Sequence, residues 1–306
     1  YEQIERGALQ EAIVACDRVI QQQPLYQYDA LRFKGELLHS LGKSAEAEEV
    51  YRRVLEGRAV PWAKMGLATA LKERNALDEA EKLAEQVTSE APDFLAAYDF
   101  LAAVHEAKGR LAEAQQALQR ASEVSPNNTL RQRLVGDIAV RNGDLLAAEK
   151  VYGKVLERHR GSSLKTVDDF ANLARVLVER GDTEASRKVV TEMRRDWRGD
   201  KQAELAALVT ESLCLQNEGQ GTKAKQLVEQ ALEMQGKVVS EAAAKGRAVS
   251  QRVAVDLAHA CFATGNEAAG KDLIRQLAAE NNEDRHLLDH IDNVFQRTGQ
   301  VEAGKA

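Results

Sequence analysis

The sequence is poor in the residues that interrupt or cross-link a fold. Among 306 residues there are four prolines, and aromatic residues make up 5%. Scarce proline, together with long stretches rich in Ala, Leu, Glu, Gln, Arg and Lys, favours helix throughout the chain. Cys16, Cys214 and Cys261 lie far apart within helical patterns, so they indicate neither a disulfide framework nor a zinc site. We therefore expect an all-α protein of the reducing cytoplasm.

Long apolar runs and basic clusters are also missing. No stretch approaches the ~20 apolar residues that a membrane span needs, so we expect no membrane partner. The formal net charge is −6 and no basic block interrupts the sequence, which argues against a nucleic-acid partner. Because the chain starts at Tyr1, with neither an initiator Met nor a signal peptide, we expect it to be part of a longer protein.

Motifs for catalysis are absent as well. The chain contains no GxGxxG, GxxxxGK[ST], GxSxG or HExxH pattern, and its carboxylates are spread along polar helix faces. His286 and His290 stand four residues apart, as a metal-binding pair would, but no third ligand is evident, so a polar helix face is the favoured interpretation. We expect no enzymatic activity, no cofactor and no metal.

What the sequence does contain is a repeat. Its origin is a glycine, replaced once by asparagine, at Gly7, Gly42, Asn75, Gly109, Gly143, Gly181, Gly219 and Gly265. These origins are 33 to 35 residues apart as far as Gly143, and then 38, 38 and 46 apart. The residue five positions after each origin is small: Ala12, Ala47, Ala80, Ala114, Ala148, Ser186, Ala224 and Gly270. A second small residue precedes each later origin by seven positions: Gly35, Ala68, Ala102, Gly136, Ala174, Ser212 and Ala258.

Each part of this pattern has a steric purpose. Glycine ends the first helix of a pair in a left-handed turn at no cost to a side chain, and asparagine is the best substitute. The two small positions let antiparallel helices approach closely, and Pro24, Pro92 and Pro126 stop the second helix. A period near 34 is that of the tetratricopeptide repeat, which the chain resembles. This resemblance implies a right-handed superhelical solenoid of about eight helix pairs.

The regularity of the repeat predicts the organisation of the chain. We expect a solenoid over 1–282, with an incomplete first repeat that has lost most of its first helix, regular repeats over 28–156 and looser ones over 164–282. The widest spacing, around 232–251, predicts an elongated helix or an extra turn. Residues 283–298 form an amphipathic stretch that should cap the last repeat, and 299–306 should be a tail. We expect one continuous superhelix of about sixteen helices rather than two globular domains.

In this repeat type the first helices line an inner groove. Counting from each origin predicts that the partner-binding groove includes Arg32, Trp62, Met65, Asp99, Arg133, Asp137 and Arg175. The same count predicts further inner positions at Ala171, Ala206, Val209, Leu213, Arg252, Val255 and His259. Trp62 and Met65 form an apolar pair where solubility alone would favour polar residues, so they are candidate anchors for a peptide or helix. The alternative is that Trp62 packs across the joint between the second and third repeats. Both interpretations remain open.

Several segments carry more than the repeat. They include RFKGELLHSLGK from Arg32, VPWAKMGLATAL from Val60 and SPNNTLRQRLVGDIAVRNGD from Ser125. These segments resemble the helical output region of bacterial response regulators that join a CheY-like receiver to tetratricopeptide repeats. The resemblance implies a protein-binding output module of two-component signalling, with the phospho-accepting receiver upstream of Tyr1. The alternative is an assembly factor for a cell-envelope machine such as pilus or polysaccharide export. We expect a protein or peptide partner and leave the oligomeric state open, a homodimer included.

Overall fold

Helices account for nearly all of the chain that the computed structural model describes, which is residues 2–245, 250–280, 291, 294 and 295. In this part the protein has fifteen α-helices, one 3₁₀ turn at Pro24–Tyr26 and no strand. The helices are α1 Glu2–Gln22, α2 Gln27–Ser40, α3 Ser44–Gly57, α4 Pro61–Glu73, α5 Leu77–Glu90, α6 Leu95–Ala107, α7 Leu111–Val124, α8 Thr129–Arg141, α9 Leu145–His159, α10 Val167–Glu179, α11 Thr183–Asp196, α12 Lys201–Asn217, α13 Gly221–Lys245, α14 Gln251–Ala263 and α15 Glu267–Glu280. The all-α solenoid is confirmed.

The chain divides into two compact units, unit 1 over Tyr1–Arg131 and unit 2 over Gln132–Ala306. In unit 1, consecutive helices pack in pairs, and α2 also contacts α4. Unit 2 has the same pairing with further contacts, because α10 packs against α12, and α14 packs against both α12 and α10. The even-numbered helices from α2 to α14 are therefore the first helices of successive pairs.

The turns between paired helices follow the sequence pattern. Gly42, Gly109, Gly143, Gly181, Gly219 and Gly265 all have a positive φ, and Asn75 is the only non-glycine in the described chain with a positive φ, at 62°. Seven of the eight predicted turn positions are thus confirmed. Gly7 is the exception, because α1 continues through it as one helix of 21 residues. The prediction of a turn there is wrong, since no helix precedes α1 in the described chain for Gly7 to connect.

The small positions are buried, as close helix packing requires. Ala47, Ala80, Ala114, Ala148, Ser186 and Ala224 are all 0% exposed. Ala12, the equivalent residue of α1, is only half-buried, and the described residues include no helix before α1 that could cover it. The steric role that the pattern predicts is therefore confirmed wherever a complete helix pair is present.

Two of the small positions are glycines because they face a tyrosine. A Cβ on Gly136 would lie 2.5 Å from Cε1 of Tyr152, and Gly35 faces the Tyr51 ring in the same way. Tyr51 and Tyr152 are 2% and 1% exposed. The missing side chain of each glycine therefore makes room for a buried ring on the second helix of the same pair.

Two predictions concern the later part of the chain, an elongated helix and a C-terminal cap. The widest spacing of the repeat contains α13, which is 25 residues long, so the elongated helix is confirmed. Of the predicted cap over 283–298, only Ile291, Val294 and Phe295 are described, and all three are helical and buried. His286, His290 and the tail over 299–306 lie outside the described residues.

Candidate interaction surface

The inner face of unit 1 is formed by α2, α4 and α6, and part of it is open to solvent. Asp29, Arg32 and Glu36 of α2 are exposed, and so is Ala96 of α6. Arg32 donates from Nε to Glu36 Oε1 at 3.0 Å, and both side chains are more than half exposed. Such an exposed pair within one helix holds its charges weakly and leaves them available to a partner.

Trp62 lies at the start of α4 and contacts the preceding repeat. Pro61 occupies the first turn of α4, which places Trp62 at the start of that helix. Its half-buried ring meets Tyr51 edge to face at 6.4 Å between centroids, and the Arg32 guanidinium lies 5.7 Å from its centroid. Trp62 therefore packs across the joint between the second and third repeats, and part of its ring remains accessible.

Met65 does not share that exposure. It is 9% exposed, one turn after Trp62 on α4, and its carbonyl accepts a hydrogen bond from Thr69. The expectation of an exposed Trp–Met pair is therefore wrong at Met65, because the neighbouring helices cover it.

Asp99, the last predicted groove residue in unit 1, is bound within the chain. Arg131 donates to both of its carboxylate oxygens, at 3.2 and 2.7 Å. The Arg131 side chain is only 11% exposed, so the pair holds Arg131 against α6 within unit 1. A bidentate guanidinium–carboxylate pair of this kind is well oriented, and both carboxylate oxygens of Asp99 already accept hydrogen bonds from Arg131.

In unit 2, Arg133 belongs to a second bidentate pair. It donates to Asp169 at 2.7 and 2.8 Å, while Asp169 also closes a capping box with Thr166 at the start of α10. Asp169 is 2% exposed and the Arg133 side chain 29%. Arg133 therefore balances the charge of a buried carboxylate, and its guanidinium is engaged within the chain.

Asp137 on α8 holds the start of α14. Arg252 donates from Nη1 to Asp137 Oδ1 at 2.6 Å and from Nη2 to Oδ2, and the Tyr152 hydroxyl donates to Oδ1 at 2.6 Å. Burial raises the pKa of Tyr152 well above its ordinary value, and the Asp137 charge raises it further. The hydroxyl therefore stays a donor across the physiological range.

Arg175 is the most deeply buried of the predicted groove residues. It is 4% exposed, donates to Glu179 at 2.8 Å and lies 3.5 Å from the Asp256 carboxylate. Burial raises the pKa of Asp256 to about 6, although Arg175 and Arg252 oppose the rise. Burial also lowers the pKa of His259 to about 4, and Arg175 adds to that effect.

The inner face of unit 2 is largely buried. Ala171, Ala206, Val209, Leu213 and Val255 occupy predicted inner positions, and each is at most 7% exposed. A cavity of about 450 Å³ is left, and it is lined by Leu145, Arg175, Val178, Glu179, Leu213, Asn217 and His259. Within unit 2, α14 packs onto α10 and α12 and closes most of the face that the repeat pattern predicts to be open.

The partners of the charged residues on α14 were not predicted from the sequence. Arg252 occupies a predicted inner position, yet its partner Asp137 lies 115 residues earlier. Arg252, Asp256 and His259 form a polar stripe on an otherwise apolar helix, with spacings of four and three residues. That stripe was the one available signal that α14 meets charged partners instead of solvent.

Helix pairs with glycine turns, small interface positions and a period near 34 define the class of protein. Two tetratricopeptide repeat family models match the chain, one over residues 28–56 and the other over residues 71–138. The chain carries tetratricopeptide repeats, and it is a protein-interaction module. The fold is typically a non-enzymatic scaffold for protein or peptide partners. No helix in the described part of the chain is both long and apolar enough to cross a membrane.

Solved structures share the fold. The structure of Naa15/Naa10 bound to HypK-THB is 14% identical, with a TM-score of 0.52 over 86% of this chain and 43% of that chain. YrrB, described as a TPR protein with an unusual peptide-binding site, is 19% identical with a TM-score of 0.48 over 63% of this chain and 96% of its own. MamA from Desulfovibrio magneticus RS-1 is 24% identical with a TM-score of 0.44 over 52% and 90%. A search of curated proteins found no match.

Proposed function

We propose that the chain binds a peptide or helix of a protein partner along the inner face of unit 1. The observation that carries this proposal is the exposed polar surface of Asp29, Arg32 and Glu36 beside the accessible part of the Trp62 ring. Tryptophan and arginine are both enriched among the residues that carry most of the binding energy at protein interfaces. Unit 2 offers less, because its inner positions are buried and its arginines are paired.

Each residue of this surface has a role in the proposal. Trp62 supplies the apolar contact, and Met65, buried one turn later on α4, adds no exposed apolar surface. Arg32 selects acidic partners, since it can exchange its exposed Glu36 contact for a partner carboxylate. Asp99 on α6 is held by its hydrogen bonds from Arg131. A buried tryptophan anchor contributes ~2 kcal/mol or more, whereas an exposed charge changes mainly rate and salt dependence.

The two tryptophans of the chain allow a direct test. Peptides are first selected from a random displayed library on the immobilised protein. Trp197→Phe then leaves Trp62 as the only tryptophan, and its fluorescence should change on titration with the selected peptides. Trp62→Ala should weaken their binding at least about tenfold. Trp197→Ala is the matched control, because Trp197 is also half-buried and packs edge to face on Phe170, but in unit 2. Unchanged binding by Trp62→Ala would contradict the proposal.

The setting that we propose is the cytoplasmic output region of a two-component response regulator. The support is the resemblance of the segments at Arg32, Val60 and Ser125, and the specificity for acidic partners suits a regulated contact. The competing setting is a scaffold for assembling a cell-envelope machine. The coding sequence upstream of Tyr1 separates the two, since a receiver domain supports the first and a signal peptide or lipobox supports the second.

A further inference from the structure

Unit 2 contains a complete binding site for an arginine side chain, and its own helix α14 occupies that site. The guanidinium of Arg252 meets both carboxylate oxygens of Asp137 in a bidentate pair. Its Nη1 also lies 3.4 Å from Asn172 Oδ1. A carboxylate that accepts two parallel hydrogen bonds, with another acceptor at its edge, matches the planar donor fork of a guanidinium better than it matches an ammonium.

Asp137 has a second hydrogen-bond partner outside α14. The Tyr152 hydroxyl donates to Asp137 Oδ1 at 2.6 Å, and the ring behind it is 1% exposed in the space that Gly136 leaves open. Asn172 is 5% exposed on α10. Asp137, Tyr152 and Asn172 lie on α8, α9 and α10 in unit 2, so the site is built from residues outside α14.

The bound arginine is the accessible member of the site. The side chain of Arg252 is 36% exposed and that of Asp137 is 21% exposed, whereas Arg175 and Asp256 deeper in the same face are 5% and 10% exposed. A charged pair that solvent reaches can exchange partners at a lower cost than a fully buried one. The Arg252 pair is therefore the place where a competitor can enter.

We propose that Asp137, Asn172 and Tyr152 form a guanidinium-binding site whose ligand in a complex is an arginine side chain of a partner polypeptide, which displaces Arg252. The site is separate from the surface of unit 1, so it goes beyond the proposed function, and its failure would leave that proposal untouched. It also predicts opposite partner chemistry, since unit 1 selects acidic residues through Arg32.

The test uses the full chain and its melting temperature at constant ionic strength. The probe is N-acetyl-arginine-N-methylamide, which imitates an arginine within a polypeptide, and the matched probe is the lysine derivative. Arg252→Ala empties the site, so the arginine probe should raise the melting temperature of this variant and bind at least about tenfold more tightly than it binds the unmodified protein. The lysine probe should have little effect, and adding Asp137→Asn should abolish the response to arginine.

Every other outcome overturns the proposal. An equal response to both probes would show a general charge effect, and a response that survives Asp137→Asn would place the binding elsewhere. An equal response of the unmodified protein would show that Arg252 does not compete. A stronger response to free zwitterionic arginine would overturn the polypeptide source. Arg252→Lys serves if Arg252→Ala fails to fold, because it retains the charge and loses the bidentate fork. It too must then respond to the arginine probe.

Discussion

At the residue scale, the contribution of Gly136 to stability can be measured by comparing it with Gly153, a glycine that faces no ring. Gly136→Ala should lower the free energy of unfolding by about 1–3 kcal/mol, because its Cβ would lie 2.5 Å from a buried ring that is itself hydrogen-bonded to Asp137. Gly153→Ala, in α9, has no atom within 4 Å of its new Cβ and should raise stability by about 0.5–1 kcal/mol. Urea melts of both variants measure the difference. Shifts of the same sign would contradict the packing that we describe.

The sequence already contains this Gly–Tyr pairing. Tyrosine occupies the position nine residues after the turn in only two repeats, at Tyr51 and Tyr152, and the small position of the same repeats is glycine, at Gly35 and Gly136. Repeats with a smaller residue in place of the tyrosine have alanine or serine instead. The correlation follows from side-chain volume, so the amino-acid sequence is sufficient to predict it.

The buried carboxylate of Asp256 predicts an unusual dependence of stability on pH. Because its pKa is raised from 3.8 to about 6, the folded state holds a proton that the unfolded state has lost, so its contribution to stability falls as pH rises from about 4 to 6. Asp256→Asn removes that cost. The melting temperature of the variant minus that of the unmodified protein should therefore be more positive at neutral pH than near pH 4.

The experiment compares the variant with the unmodified protein because His259 also titrates in this pH range. The pKa of His259 is lowered to about 4, so its contribution to stability rises with pH over much of the same range and masks that of Asp256 in the unmodified protein. The difference between variant and protein cancels the His259 effect. A difference that stays constant with pH would mean that the contact with Arg175, at 3.5 Å, keeps Asp256 ionised throughout.

At the element scale, the turn between α4 and α5 tests the role of the repeat origin. Asn75 has a φ of 62°, where the other confirmed turns have glycine. Asn75→Ala should cost about 1–2 kcal/mol, because an ordinary side chain is strained in the left-handed region. Asn75→Gly should stay within about 0.5 kcal/mol of the unmodified protein, since the residue is exposed. Equal losses in thermal melts would show that the asparagine side chain, and not the backbone, matters here.

The same element shows how far sequence patterns reach. A left-handed turn is a local property, so the seven turns from Gly42 to Gly265 were predictable from composition and spacing. Gly7 was not, because a turn at a repeat origin joins two packed helices, and no helix precedes α1 in the described chain. The identical residue type therefore lies in mid-helix in α1. Local patterns identify candidate turns, and tertiary packing decides which of them form.

At the scale of whole units, the burial of the inner face of unit 2 by α14 could not be predicted from the sequence. Local spacing fixes each helix pair, but contacts such as Arg252–Asp137 and Ser250–Asp168 join residues 115 and 82 positions apart. They depend on small rotations from one repeat to the next, summed over several repeats whose spacing has loosened to 38 and 46 residues. No single repeat encodes that sum, so the inner positions of unit 2 were predicted to be open and are largely buried.

This closure makes a prediction about cooperativity. In an ordinary solenoid each repeat contacts only its neighbours, so damage to one helix spreads to adjacent repeats. In unit 2, α14 contacts α10 as well as α12, α13 and α15. Leu257→Ala, at a position of α14 that is 0% exposed, should cost about 2–5 kcal/mol locally. Its effect should reach α10, whose amide hydrogen exchange should accelerate together with that of α12.

Leu38→Ala in unit 1 is the matched control, since Leu38 is also 0% exposed and lies on the first helix of its pair. Its helix α2 contacts α1, α3 and α4. Faster exchange should therefore appear in those three helices. Helix α6 should keep its protection, and it is the matched comparison because it lies two helix pairs from α2, as α10 lies two pairs from α14. If α10 keeps its protection in Leu257→Ala, the closing contacts add no cooperativity and unit 2 behaves as an ordinary nearest-neighbour array. If α6 and α10 respond alike, coupling along the repeats is general, and the ion pairs of α14 are not its cause.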